Sequence, residues 1–262
     1  MTSTASTSER VVITGISRGI GRATALAYAA RGGRVAGLHR DPDPAVSAEL
    51  ADAIRAAGGE ALIAVGDARS TADIDRLADD AAAAWGGIDV WVNNAARLLV
   101  KPFLEMTDDD WTSLLDSNLL GYIRGARAAA RHMVPAGRGA IVNISSAVDP
   151  FPPTDMTGYV TAKGGIAGLT RSLAVELGPL GVRVNALSPG ATETPLNDQS
   201  WTEEVRATYR ERIPLRRIAE AEEIADAIVM IGSDAARYIT GQVLLADGGL
   251  TLNGSVGHKR KG

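Results

Sequence analysis

Short apolar, β-branched runs alternate along this chain with longer segments of helical period. Strand-like runs fall at residues 10–14, 34–38, 60–65, 88–92, 140–144, 182–187 and 243–246. Helical patterns fill the gaps at 20–31, 44–57, 71–85, a long stretch near 108–133, 158–177 and 221–231. Continuous apolar strands are buried on both faces, and crossovers of this length join parallel strands. The pattern predicts an α/β fold: a single-domain, Rossmann-like, doubly wound parallel sheet with helices on both faces. No linker or short repeat interrupts residues 10–252, which read as one domain. Residues 189–219 are the least regular part and predict a mobile loop with short helices. Residues 1–9 are small and polar and read as a disordered leader, and 253–262 as a C-terminal tail.

The first strand runs into Thr14-Gly-Ile-Ser-Arg-Gly-Ile-Gly21, which opens the first helix. A pyrophosphate site needs this position. Glycine lets the backbone turn tightly and approach phosphate, and a helix N-terminus offers free N–H groups and a positive dipole end. The spacing is Gly-x-x-x-Gly-x-Gly rather than the commoner Gly-x-Gly-x-x-Gly. The second strand ends at Leu38-His39-Arg40-Asp41, where dinucleotide folds meet the adenine ribose. Arg40 there and Arg18 in the glycine turn suit a 2′-phosphate, because guanidinium matches phosphate geometry. The expected cofactor is therefore NADP(H), with NAD(H) the alternative should Asp41 turn its carboxylate toward the ribose.

Composition narrows the remaining classes. The 262 residues are 45% hydrophobic and 22% charged, with net charge −4 and both signs interspersed. No basic stripe marks a nucleic-acid partner. The one basic cluster, His258 to Lys261, reads as a solvated tail. Cysteine is absent, which excludes disulfides and thiolate chemistry and suits a reducing, cytoplasmic setting. His39, His132 and His258 are too scattered for a metal site or a serine–histidine–acid triad, so no metal is expected. No apolar run is long enough for a membrane span or a signal peptide.

Further motifs follow in order: Asn93-Asn-Ala-Ala96, Asn118, Ser145-Ser146, Tyr159-x-x-x-Lys163, Asn185 and Pro189-Gly190. With the glycine turn, this set resembles the short-chain dehydrogenase/reductase family over roughly residues 10–252. The resemblance implies a catalytic set of Asn118, Ser146, Tyr159 and Lys163. Tyr159 is similar to the family's general acid/base, Lys163 to its activator, and Ser146 to the serine that orients the substrate oxygen. Asn118 resembles the helix asparagine that holds a relay water. The implied cofactor contacts begin in the glycine turn with Gly15, Ser17, Arg18, Gly19, Ile20 and Gly21. They continue with Asp67 and Ala68 after the third strand, and with Asn93 and Ala95 in the loop beside the cofactor. Lys163 also reaches the nicotinamide ribose, and Pro189, Gly190, Thr192 and Thr194 lie at the nicotinamide end. One motif departs from the pattern: Ala96 stands where the family usually has glycine, which bears on the shape of the loop 97–100.

The chemistry needs these residue types. Residues four apart share a helix face, so Tyr159 and Lys163 can face one cleft. Free tyrosine ionises near 10, and an ammonium beside it should lower that value. A tuned phenol can then give a proton to a carbonyl oxygen as hydride arrives at carbon. Ser146, beyond the apolar strand 140–144, can donate to the same oxygen. Ser145 reads as a capping or turn serine.

The expected function is an oxidoreductase that interconverts a medium-sized ketone and a secondary alcohol by hydride transfer. The chain resembles both 3-oxoacyl thioester reductases and sugar or polyol dehydrogenases. Pocket walls are expected from 97–104, 147–156 and 191–212, and Phe151, Pro152, Pro153 and Met156 suggest a partly apolar substrate. A non-catalytic cofactor sensor is the competing class, but it has no need of the Asn118, Ser146, Tyr159, Lys163 set. A methyltransferase of similar fold conflicts with the Tyr/Lys pair. The resemblance also implies a homotetramer built partly on the two long helices.

Overall fold

The computed structural model describes residues 8–198 and 201–252. The expected tail, and all of the expected leader but residues 8 and 9, lie outside the described residues. Seven strands are found among those described: β1 (Arg10–Thr14), β2 (Arg34–His39), β3 (Glu60–Val65), β4 (Val90–Asn93), β5 (Gly139–Ile144), β6 (Val182–Pro189) and β7 (Val243–Ala246). They form one sheet in the order β3-β2-β1-β4-β5-β6-β7, and every pair is parallel. The order reverses between β1 and β4. A crevice opens at such a switch point, beyond the carboxyl ends of the strands.

Helices cover both faces. They are α1 (Gly19–Ala29), α2 (Pro44–Ala56), α3 (Thr71–Trp85), α4 (Asp108–Leu115), α5 (Gly121–Ala136), α6 (Thr157–Leu177), α7 (Pro195–Asp198), α8 (Glu203–Arg212) and α9 (Ala221–Gly232). Strand alternation divides the core. Val11, Ile13, Val90, Val92, Val142 and Ile144 pack toward α1, α2 and α9. Val12, Trp91, Ile141, Val182 and Val184 pack toward α3, α5 and α6. Each such side chain, fully buried, stabilises the fold by roughly 1.5–3 kcal/mol. The irregular segment after β6 carries α7 and α8 and a small core of its own, in which Trp201 and Tyr209 lie 4.8 Å apart against Ile213 and Ile218.

The long helical stretch of the sequence reading is not continuous. A π-helical turn, Asp116–Leu120, separates α4 from α5. Its polar run Asp116-Ser117-Asn118 allows the widening: Asn118 leaves the solvent side and is fully buried. An extra residue in one turn does not change the apolar period, so periodicity cannot detect it.

Beyond that turn α5 lies very close to β4. A Cβ on Gly125 would stand 2.0 Å from Asn93 Oδ1. This approach lets a buried polar network join the layers. Trp91 Nε1 donates to Asn93 Oδ1 (2.7 Å), Asn93 Nδ2 donates to the Tyr122 carbonyl (3.2 Å) and to Asn143 Oδ1 (2.9 Å), and Asn143 Nδ2 donates to Thr170 Oγ1 (3.0 Å). Gly125→Ala is therefore expected to lower unfolding free energy by about 2–4 kcal/mol, the sum of overpacking and a broken buried hydrogen bond. The urea midpoint measures this; a change under about 0.5 kcal/mol would mean that α5 moves away freely.

Candidate active site

The cleft at the switch point has a volume of about 510 Å³. One wall is the glycine turn, with Gly15, Ser17, Arg18, Gly19 and Ile20 lining it. Gly21 stands behind: a Cβ there would be 2.2 Å from the Gly15 carbonyl oxygen, so only glycine lets the turn fold back this tightly. The N-terminus of α1 has Arg18 at its cap with no side-chain cap bond, and no acid in its first turn. In contrast α2, α3, α4 and α8 are each capped by an Asp, Ser or Thr side chain. Free N–H groups at a glycine-rich helix start fit an anionic ligand such as pyrophosphate.

At the far end the cleft meets Leu38, His39, Arg40, Asp41, Asp67 and Ala68. Arg18 and Arg40 are exposed, and neither has a salt bridge among the described residues. Asp41 Oδ1 accepts from the backbone N–H of Asp43 (3.1 Å), which turns its carboxylate into its own loop. Asp67 is chelated by Arg69, at 2.6 Å from Nη2 to Oδ2, and its carboxyl stays below the usual range although burial alone would raise it. His39 is buried with Nε2 against Ser47 Oγ (2.8 Å), and burial lowers its pKa, so it is neutral at pH 7. The positive charges at this end are therefore those of the arginines.

The Tyr/Lys pair does not line this cleft but lies behind the loop 94–99, whose Asn94, Ala95 and Ala96 line the cleft and whose Leu98 and Leu99 pack by Tyr159. Tyr159 and Lys163 lie one turn apart on α6, and Lys163 is 1% exposed. The Lys163 Nζ lies 5.5 Å from the Tyr159 ring centroid and 5.0 Å from that of Tyr122. It donates to the Ile144 carbonyl at the end of β5 (2.7 Å) and to Tyr122 Oη (3.1 Å). Ser146, just beyond β5, stands near enough to the Tyr159 phenol to favour its ionised form, and its Oγ accepts from Val148 N–H (3.4 Å). Ser145 Oγ instead donates to the Lys163 carbonyl (3.0 Å), a tie between β5 and α6. Apolar groups surround the Tyr159 ring: Leu114 and Ala162, with Leu98, Leu99, Val148 and Met156 around them. The two loops that supply this wall are joined by Lys101 N–H donating to the Asp155 carbonyl (2.7 Å).

Burial governs the ionisation here. It pushes Tyr159 up to about 12, against the opposing pull of Ser146, and Lys163 down to about 7. The sequence reading expected the ammonium to lower the phenol. Instead the charge sits over the ring face, and desolvation is the larger effect on both groups.

Several expected contacts stand elsewhere. Asn93 ends β4 and is 1% exposed, its amide committed to the network under α5. Its neighbour Asn94 reaches the cleft with Ala95 and Ala96, and its Nδ2 donates to the Thr14 and Gly15 carbonyls (both 3.0 Å). Successive strand residues face opposite ways, so one of two adjacent asparagines must turn inward. Sequence cannot say which without the strand's last residue. The Asn118 amide is taken up by the Arg97 peptide, accepting from its N–H (2.9 Å) and donating to its carbonyl (2.8 Å). Pro189, Gly190 and Thr192 do not line the cleft. The Pro189 carbonyl accepts from Ala147 N–H, a Cβ on Gly190 would meet Asp247 at 2.6 Å, and Thr192 Oγ1 donates to the Gly190 carbonyl. They form the support that places Thr194 in the cleft, beside Gly19. Asn185 likewise fixes the approach to β7 through Ile239 and Gln242. Phe151, Pro152 and Pro153 are exposed; of that group Met156 alone packs by Tyr159. Tyr122, Ser117 and Asn94 were missed by the sequence reading.

A buried lysine makes stability depend on pH. The folded midpoint, about 7, lies below the ordinary 10.5, so the cost of burying the ammonium is full below pH 7 and fades as pH rises to 10.5. Tyr159 acts oppositely, but only above pH 10. Lys163→Met is therefore expected to be more stable than the parent at pH 7, by roughly 2–4 kcal/mol, with the gap closing by about pH 10. Urea unfolding at both pH values checks this; a gap independent of pH would contradict it.

Comparison with known proteins places the chain. The family profile described as "Enoyl-(Acyl carrier protein) reductase" matches residues 15–251. The chain is 36% identical over 244 residues to 3beta-hydroxysteroid dehydrogenase 1 of Eggerthella lenta, covering 92% of this chain and 93% of that protein. A short-chain type dehydrogenase/reductase from Mycobacterium marinum superposes with a TM-score of 0.86 at 35% identity, covering 93% of this chain and 95% of that one. A gluconate 5-dehydrogenase from Burkholderia cenocepacia J2315, solved in complex with NADP and tartrate, gives 0.87 at 33% identity, with 93% and 95% covered. This chain belongs to the short-chain dehydrogenase/reductase family of oxidoreductases.

Proposed function

We propose that this chain is an NADP(H)-dependent oxidoreductase that interconverts a partly apolar ketone and its secondary alcohol, with Tyr159 as general acid/base. The observation that carries the reading is the buried Tyr159–Lys163 pair near Ser146, behind the loop 94–99 that also helps wall a cleft with a glycine turn on an uncapped helix. The glycine turn and the α1 N-terminus would hold the pyrophosphate of the dinucleotide, Arg18 and Arg40 the 2′-phosphate, and Thr194 the nicotinamide end. The dinucleotide supplies or takes the hydride. In reduction, Tyr159 gives its phenolic proton to the substrate oxygen, and Ser146 donates a hydrogen bond to that oxygen as charge develops on it. Lys163 stabilises the phenolate that results. With its own midpoint near 7, it can also return a proton to Tyr159 at neutral pH.

The substrate class is read from the wall around Tyr159. Leu98, Leu99, Val148 and Met156 offer no hydrogen bonds to a polyol. A sugar exposes hydroxyls on most carbons and would leave them unpaired there, a cost of about 1–3 kcal/mol each. This supports a carbocyclic or similarly apolar ketone over the sugar or polyol alternative with NAD(H). A cofactor sensor stays the competing class.

Tyr159→Phe tests the mechanism. The expected loss in kcat is about 10²–10⁴-fold, the usual worth of a positioned proton donor, with NADPH binding kept within a factor of about two. Near-normal turnover would sink the assignment. Arg40→Ala tests the cofactor. Fluorescence titration should show NADPH affinity falling about 10–100-fold, as for a lost charge-assisted bond, while NADH affinity hardly moves. Equal losses for both would refute the 2′-phosphate role.

Exposed apolar groups on the outer helices, among them Leu120, Ile123 and Val175, support self-association into the homotetramer that the resemblance implies.

A further inference from the structure

Tyr122 belongs to none of the motifs above, yet its hydroxyl touches the catalytic lysine. The ring is 1% exposed and enters from α5, against Ile166 of α6 and Ala186 of β6. Three hydrogen bonds close a triangle. Lys163 Nζ donates to the Ile144 carbonyl (2.7 Å), Lys163 Nζ donates to Tyr122 Oη (3.1 Å), and Tyr122 Oη donates to the same Ile144 carbonyl (3.0 Å).

The triangle fixes directions. A phenol has one proton and two acceptor sites. The Tyr122 proton goes to the carbonyl, so its oxygen can only accept from Lys163. An ammonium has three N–H donors. Two are committed to Ile144 and Tyr122, which leaves one free. The Nζ is thereby held between two rings, 5.0 Å from the centroid of Tyr122 and 5.5 Å from that of Tyr159. Tyr122 is itself held in place: Asn93 Nδ2 donates to its carbonyl, and Gly125, one turn on, lets α5 sit against β4.

The other groups around the ammonium are accounted for. Tyr122 from α5 and Tyr159 from α6 are the titratable groups against Nζ among the described residues, and β5 adds only the Ile144 carbonyl. Asp149, in the loop after β5, approaches Gly164, the residue next to Lys163, but makes no salt bridge with the lysine. Among the described residues no carboxylate offsets the burial of Lys163, so each oxygen that accepts from it matters more than it would at the surface.

We propose that Tyr122 is a positioning residue for the reaction: its phenol oxygen, together with the Ile144 carbonyl, seats the Lys163 ammonium beside Tyr159 and leaves its remaining N–H free for the reacting groups. The seating stands on the geometry alone; its consequence for turnover rests on the oxidoreductase reading. Phenylalanine would fill the same space and keep the ring face but would offer no acceptor.

The chain has only four lysines, Lys101, Lys163, Lys259 and Lys261, so lysine labelled with ¹³C at Cε gives few signals. Lys163→Arg identifies the one that belongs to the site. In Tyr122→Phe the Lys163 midpoint should fall by about one pH unit, because an acceptor that favours the charged form has gone. The melting temperature should stay within a few degrees of the parent. In NADPH-dependent ketone reduction, kcat should fall about tenfold with the ketone KM nearly unchanged, and the limb of the pH profile that follows Lys163 should move to lower pH. Tyr122→Leu gives the same readout should the phenylalanine variant fail to fold. An unchanged Lys163 midpoint in a folded variant would overturn the proposal, even with normal turnover. A lowered midpoint in a protein that reduces no carbonyl would keep the seating and remove the oxidoreductase reading instead.

Discussion

A lysine ammonium is buried at the end of β5 with no carboxylate paired to it among the described residues, and much of the site is arranged around that fact. An uncompensated charge in a low-dielectric interior costs several kcal/mol, and proteins offset it with dipoles or give up the proton. Both responses are present. The Ile144 carbonyl and the Tyr122 phenol supply dipoles, and two aromatic faces flank the charge. The midpoint near 7 lets the amine release its proton at neutral pH. A group that is unfavourable for stability is thus suited to chemistry.

The sheet explains why the pair lies close to a cleft at all. Strand order reverses between β1 and β4, so the connections on either side lead away from that point and leave a crevice. The glycine turn after β1, the arginine after β2 and the serine after β5 are all residues just past a strand's carboxyl end. The uncapped start of α1 suits the anionic part of a ligand, and Leu98, Leu99, Val148 and Met156 form an apolar wall around Tyr159. Close helix–sheet approach at Gly125 ties these ends together through a network that includes the Tyr122 carbonyl.

Much of this was legible in the sequence. Apolar runs located every strand, and position after a strand located the glycine turn, Arg40 and Ser146. The Tyr159–Lys163 spacing located their shared helix face. Four things were not legible. A π turn adds one residue without changing the helical apolar period, so the break between α4 and α5 and the inward turn of Asn118 were hidden. Adjacent asparagines at 93 and 94 could not be told apart without the strand's last residue. Tyr122 sits in an apolar, alanine-rich helix face, where a tyrosine reads as ordinary core. Only the assembled layers bring its oxygen to Lys163. The direction of the Tyr159 shift was likewise a matter of burial, which spacing does not report.

The most direct test of the central claim is NADPH oxidation by the purified, full-length protein with a carbocyclic ketone and, separately, an open-chain ketosugar. The account predicts saturable turnover with the cyclic ketone, at a kcat/KM well above that for the sugar. Tight NADPH binding with no oxidation by any carbonyl would contradict it and make the chain a cofactor sensor.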